Sequence, residues 1–116
     1  MKNAAKYAVL LGLLCASITL SSCILAPSAV ELRNQGITEF QVGHLDQAQS
    51  LLKQSLDKSC DPVAYYWLGR AYHAQGRYED AICQYKFAIE SKPGYDEAKT
   101  WLQKARQDAG LSGRDL

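Results

Sequence analysis

The amino-acid sequence predicts an all-α fold, a short solenoid of two antiparallel helix pairs closed by a fifth helix. Three observations lead there. The chain matches itself at a spacing of 33 residues, about the length of one helix–turn–helix unit. Its last predicted helix carries a single apolar stripe at Ala98, Trp101, Leu102, Ala105 and Ala109, the i, i+3, i+4, i+7 spacing of one helix face. The composition, 47% hydrophobic and 22% charged with only 3 Pro, is that of a soluble helical protein.

The N-terminus reads differently from the rest. Residues 1–6 are positive through Lys2 and Lys6, and residues 7–20 form an uncharged apolar run. A helix of that length spans about 21 Å, short of the roughly 30 Å hydrocarbon core of a bilayer. It suits the core of a signal peptide better than a permanent span. The run ends in Leu20-Ser21-Ser22-Cys23. This segment resembles the lipobox of bacterial lipoprotein precursors, an aliphatic residue and two small ones before the acylated cysteine. The resemblance implies cleavage after residue 22 and acylation of Cys23. Two or more acyl chains would hold the protein stably at a membrane, where one holds only marginally. Ile24 follows, not the Asp that resembles an inner-membrane retention signal, so the resemblance favours the outer membrane where a cell has two. An uncleaved anchor, or a signal peptide with an incidental cysteine, are the alternatives. Residues 24–28 then form a tether reaching less than about 18 Å, which keeps the folded part close to the bilayer.

The internal repeat organises residues 29–95. Gly36, Gly43 and Ala48 align with Gly69, Gly76 and Ala81, and Leu32, Leu45 and Leu52 with Tyr65, Tyr78 and Tyr85. A further shift of 34 aligns Ala64, Trp67, Leu68 and Ala71 with Ala98, Trp101, Leu102 and Ala105. Small residues at matched places let paired helices approach closely, while the large ones fill the space between them. Gly76 suits a turn, since glycine accepts positive φ without penalty, and Pro93 ends a helix. The series Tyr65, Leu68-Gly69, Tyr72, Ala81, Tyr85, Ala88, Pro93 resembles the tetratricopeptide repeat (TPR), a 34-residue helix–turn–helix. The first copy, residues 29–61, is a degenerate TPR-like repeat, with Gln35, Glu39 and Ser55 in place of the usual Leu, Tyr and Ala. Helices are expected at 29–42, 45–58, 62–75 and 78–91, with a capping helix over 96–108 and a frayed tail beyond Gly110.

The same resemblance implies a binding surface. In TPR stacks the first helix of each pair lines a concave wall where extended peptides or partner helices lie. Matched positions place Arg33, Ile37 and Phe40 there from the first repeat, Tyr66, Arg70 and His73 from the second, and Thr100 and Lys104 from the cap. The patch combines aromatic surface with three permanent positive charges and suits a peptide bearing a carboxylate, Arg33 and Arg70 donating in forked geometry. The Lys/Asn clamp of some TPR proteins is not matched, because Ile37 cannot donate.

Other chemistries find little in the sequence. With Lys2 and Lys6 removed the chain holds 11 basic and 12 acidic residues, no charge pattern for nucleic acid. Neither His44 nor His73 has a partner at metal-ligand spacing. Catalytic motifs of the Ser-His-Asp or phosphate-loop kind are not found. Cys60 and Cys83 fall on parts of the fold too far apart to bridge within one molecule, and Trp67 and Trp101 read as interhelix packing. The expectation is a non-catalytic protein–protein interaction module, with no cofactor beyond the acyl group on Cys23. The rival reading is a self-associating structural lipoprotein, and an accessory subunit of an envelope enzyme is more distant.

Overall fold

The computed structural model describes residues 26–110. The signal segment, Cys23 and the tail beyond Gly110 lie outside the described residues. Five helices follow one another: α1 (Ala29–Gln41), α2 (Leu45–Lys58), α3 (Pro62–Ala74), α4 (Tyr78–Ser91) and α5 (Asp96–Asp108). They match the expected helices, except that α1 and α3 end one residue early. Each helix packs on the next, and α1, α3 and α5 also touch in succession. The first helices of the pairs therefore stand side by side as one wall, with α2 and α4 behind them.

The helix boundaries have local causes. Ser28 accepts a hydrogen bond from the Glu31 amide and caps α1; Asp61 does the same for Val63 at the start of α3, where Pro62 loses no hydrogen bond by lacking an N–H. At the other end of α1, Gly43 turns the chain at φ +90°, and Gly76 repeats this at +75° after α3. Side chains other than glycine rarely adopt that region, so the 33-residue periodicity is a periodicity of backbone as well as of sequence.

Packing follows the small-against-large pairing that the repeat suggests. A Cβ on Gly69 would stand 2.7 Å from Cε1 of Tyr85, and one on Gly36 2.8 Å from Cγ of Leu52. The two glycines thus seat the largest fully buried side chains of their repeats. The core runs from Leu52 through Ala64, Leu68, Tyr72, Ala81 and Ala88 to Ala98, Leu102 and Ala105 in the cap. Ser55, which stands where the family has Ala, is fully buried, and its hydroxyl donates to the Ala29 carbonyl at 2.7 Å. It ties the end of α2 to the start of α1. The buried Gln49 donates to Gln75 at 2.6 Å, and Gln75 donates to Asp46 at 2.8 Å, stitching the two repeats together.

The outer face of α1 is polar apart from the exposed Val30. Glu31, Asn34, Gln35 and Thr38 hold the places where Ala64, Trp67, Leu68 and Ala71 occur in α3, and all four are exposed. With Gln47 and Leu51 they border a shallow cleft of about 600 Å³. The first repeat departs from the second at these positions, which face solvent instead of a preceding helix pair.

Candidate functional site

The wall formed by α1, α3 and α5 brings together most of the residues expected on it, with different roles from those expected. Arg70, in the middle of α3, lies with its guanidinium carbon 3.7 Å from the centroid of the Trp101 ring. Phe40, Trp67 and Tyr66 stand at 5.5, 5.6 and 5.8 Å. One of its N–H groups donates to the Tyr66 hydroxyl at 2.9 Å. Among the described residues no carboxylate lies within 4.0 Å of it. A planar cation held on an indole face keeps its orientation and leaves edge N–H donors for another acceptor.

Arg33 is not the open donor expected from the sequence. Its guanidinium binds Asp61 at 2.6 Å, and both side chains are mostly buried. Asp61 is held from two sides, since its other oxygen caps α3. Lys104, the third expected charge, sits 3.6 Å from Asp108. The wall therefore presents one cation without a carboxylate partner where three were expected, because Asp61 holds Arg33 and Asp108 lies beside the exposed Lys104.

Tyr66 and His73 lie within the packing. Tyr66 is buried, its ring centroid 5.3 Å from that of Tyr95 and 5.5 Å from that of Trp67. Burial pushes the Tyr95 phenol up to about 12, helped by Tyr66 and by nearby acidic groups, so it stays neutral. His73 meets Trp101 and Tyr78 edge to face, and its Nε2 pairs with Asp108 at 2.7 Å. That pairing puts the proton on Nε2 when the ring is neutral. The Nδ1 atom is buried and has no hydrogen-bond partner among the described residues, and the same holds for the nearby Tyr85 hydroxyl. Ile37 and Phe40 remain half-exposed, and Thr100 is exposed but donates to the carbonyl of Asp96.

The sequence does not show the role of Asp108. Trp101 packs between α3 and α5 as expected, and it also forms the seat of Arg70. Its alignment with Trp67 was the available signal. Asp108 gave none, since its partner is 35 residues away.

The His73 hydrogen bond, with Lys104 adding to it, holds the Asp108 carboxyl below its ordinary value. The folded state therefore binds fewer protons there than the unfolded one, and stability rises with pH across that range. The contribution is complete above the ordinary carboxylate value and is lost as pH falls through the depressed one. Asp108→Asn is expected to flatten the acid limb of a thermal-melt series between about pH 5 and pH 2. An unchanged acid limb would deny the pair that role.

Among the described residues no group of three or more His, Cys, Asp or Glu is placed to hold a metal. His44 pairs with Glu39 at 2.7 Å, away from the wall. Cys60 and Cys83 are exposed thiols.

The tetratricopeptide repeat family's profile matches residues 33–96, more than half of the chain. The chain belongs to the tetratricopeptide repeat family. Two crystal structures of MamA superpose on this TPR protein with TM-scores of 0.70 and 0.71 and 28% identity, covering 72% of the chain and 50% or 46% of theirs. The TPR domain of Sgt2 from Aspergillus fumigatus superposes at a TM-score of 0.69 with 26% identity, covering 73% of the chain and 57% of that domain. The TPR chain thus spans about half the length of the solved structures it matches. No curated protein matches it. TPR stacks are interaction modules, and the fold is consistent with binding a protein or peptide partner.

Proposed function

We propose that this TPR protein is a membrane-anchored adaptor, or assembly or secretion helper, in a bacterial cell envelope. It holds an extended segment of a partner protein on the wall of α1, α3 and α5. The observation that carries the reading is Arg70, a cation with no carboxylate partner among the described residues, seated on half-exposed aromatic rings.

The anchor rests on the sequence Leu20-Ser21-Ser22-Cys23 and is consistent with where the chain leaves the fold. Lys58 donates to the Pro27 carbonyl at 3.0 Å, which puts Pro27 at the end of the stack that carries the C-terminus of α2. Acyl chains on Cys23 would then hold that end against lipid, with the helices pointing away from the surface and the wall open to the side. The outer membrane is favoured where there are two membranes. The rival is self-association through the outer face of α1.

Two measurements on cells test the reading. Metabolic labelling with a radioactive fatty acid is expected to mark the wild-type protein and not Cys23→Ser; equal labelling would refute the anchor. In-cell crosslinking is expected to capture a partner that is lost or weakened in Arg70→Ala. Crosslinks unchanged by that substitution would remove the wall from the proposal, and crosslinks only to further copies of the chain would favour the rival.

A further inference from the structure

The end of the stack that holds Pro27 differs from the opposite end in what it exposes. Helices α1, α3 and α5 start from it, and α2 and α4 run toward it. Val30, Val42 and Phe87 are the large apolar side chains that stand exposed among the described residues. Val30 is in the first turn of α1, and Phe87 lies four residues before the end of α4, about 6 Å along the axis, so both belong to this end. Val42 lies at the other. Phe87 is 47% exposed, and its ring stands 5.5 Å, centroid to centroid, from that of the half-buried Tyr65. The Cys60 thiol lies against the Tyr65 phenol, and Cys60 is two residues past Lys58, whose side chain binds the Pro27 carbonyl. A short path thus leads from the tether to an exposed aromatic pair. Cys23 precedes Pro27 by four residues, a reach of about 14 Å at most.

From this, and resting on the reading of Cys23 as acylated, we propose that Phe87 and Tyr65 make a second, non-covalent contact with the phospholipid surface that the acyl chains enter. The Phe87 ring reaches the acyl boundary while the Tyr65 hydroxyl stays at the level of the headgroups, the placement that suits an apolar ring with a polar tip. Lys58, Lys86 and Lys92 stand at this end among Asp57, Glu90 and Glu97, all exposed, so its charge is balanced and zwitterionic lipid suffices. Two rings are too little to bind a free protein to a bilayer. On a tether of this length the contact becomes intramolecular, with an effective concentration on the order of millimolar, and it is populated without adding much to attachment. The consequence is orientation. Phe87 belongs to the rear layer and sits above its end, so bringing it to lipid tips the stack onto its α2–α4 side. The wall of α1, α3 and α5 then turns away from the bilayer, toward the partner.

The two exposed thiols gauge this orientation, since Cys60 lies at the tether end and Cys83 eight residues before the end of α4, about 12 Å from it. The acylated protein would be labelled with a fluorophore on one thiol, in Cys83→Ser or Cys60→Ser, and reconstituted in phosphatidylcholine–phosphatidylethanolamine vesicles whose acyl chains carry bromine. Quenching of about twofold or more is expected at Cys60 and little at Cys83, unchanged by salt between about 0.05 and 0.5 M. Phe87→Ser replaces an exposed ring, so circular dichroism should show the fold retained; most of the quenching at Cys60 should disappear although the protein still floats with the vesicles. Phe87→Trp should keep it. Equal quenching at the two thiols, or quenching at Cys60 that survives Phe87→Ser, overturns the lipid contact and leaves the acyl anchor standing. Quenching that requires added phosphatidylglycerol overturns the apolar contact. Energy transfer between labelled copies without quenching by bromine assigns the aromatic pair to a second copy and overturns it as well. A protein that carries no fatty acid and stays behind when the vesicles float overturns the anchor, and this contact with it.

Discussion

Tyr85→Ala is expected to lower the unfolding free energy by about 3–5 kcal/mol, the range for removing a buried aromatic ring. The ring is fully buried and lies where Gly69 leaves no room for a Cβ, so the vacated space borders backbone that cannot collapse inward cheaply. It also touches Tyr66 and His73, which links the core to the wall. A small two-repeat stack has a total stability near the lower end of the usual range, about 5 kcal/mol, so the variant should retain only about 0–2 kcal/mol and be partly unfolded near body temperature. The companion substitution has the opposite sign. The Tyr85 hydroxyl is buried with no partner among the described residues, and burial drives its ionisation well above the ordinary range. Tyr85→Phe removes a desolvated polar group while keeping the ring, and is expected to be neutral or stabilising by about 1 kcal/mol. Chemical denaturation followed by circular dichroism measures both. A Phe variant that loses as much as the Ala variant would mean that the hydroxyl, and not the ring, holds the core.

Asp61→Ala is expected to cost about 2–3 kcal/mol, because one side chain serves two elements. One oxygen accepts from the Val63 amide at 2.9 Å and caps α3, a contribution of about 1 kcal/mol. The other binds Arg33 at 2.6 Å with both side chains about four-fifths buried. A pair so placed is worth more than an exposed ion pair and less than a fully buried one, and removing the acid strands the cation. Asp61→Asn separates the two roles. Asparagine caps a helix as well as aspartate does, so the cap's share of about 1 kcal/mol should be kept while Arg33 loses its counter-charge. That variant should bind an acidic peptide more tightly than wild type, since it restores the second cation that matched positions alone would place on the wall. Equal losses in the Ala and Asn variants, by thermal melting, would show that the cap contributes nothing.

These two residues also mark how far the sequence could be read. The role of Tyr85 was legible, because its spacing from Gly69 and Ala81 encodes a large residue facing a small one across a helix pair. The turns at Gly43 and Gly76 were legible for a similar reason: a positive φ narrows the residue choice, and the choice repeats at 33 residues. Asp61 was visible only as the residue before Pro62. Its bond to Arg33 spans 28 residues and depends on how one helix pair is rotated against the next, which no local pattern states. The same holds for His73 and Asp108.

Local chemistry and periodicity were thus enough to determine the five helices, their turns, the small-against-large core and the face on which each wall residue falls. The charge that the wall presents was decided only by tertiary structure. Helix faces follow from 3.6-residue spacing along one element, whereas neutralisation of Arg33, burial of Tyr66 and His73, and the seating of Arg70 on Trp101 depend on distances of a few ångströms between elements. Electrostatic and stacking interactions act at that range, and the angle between successive helix pairs sets it.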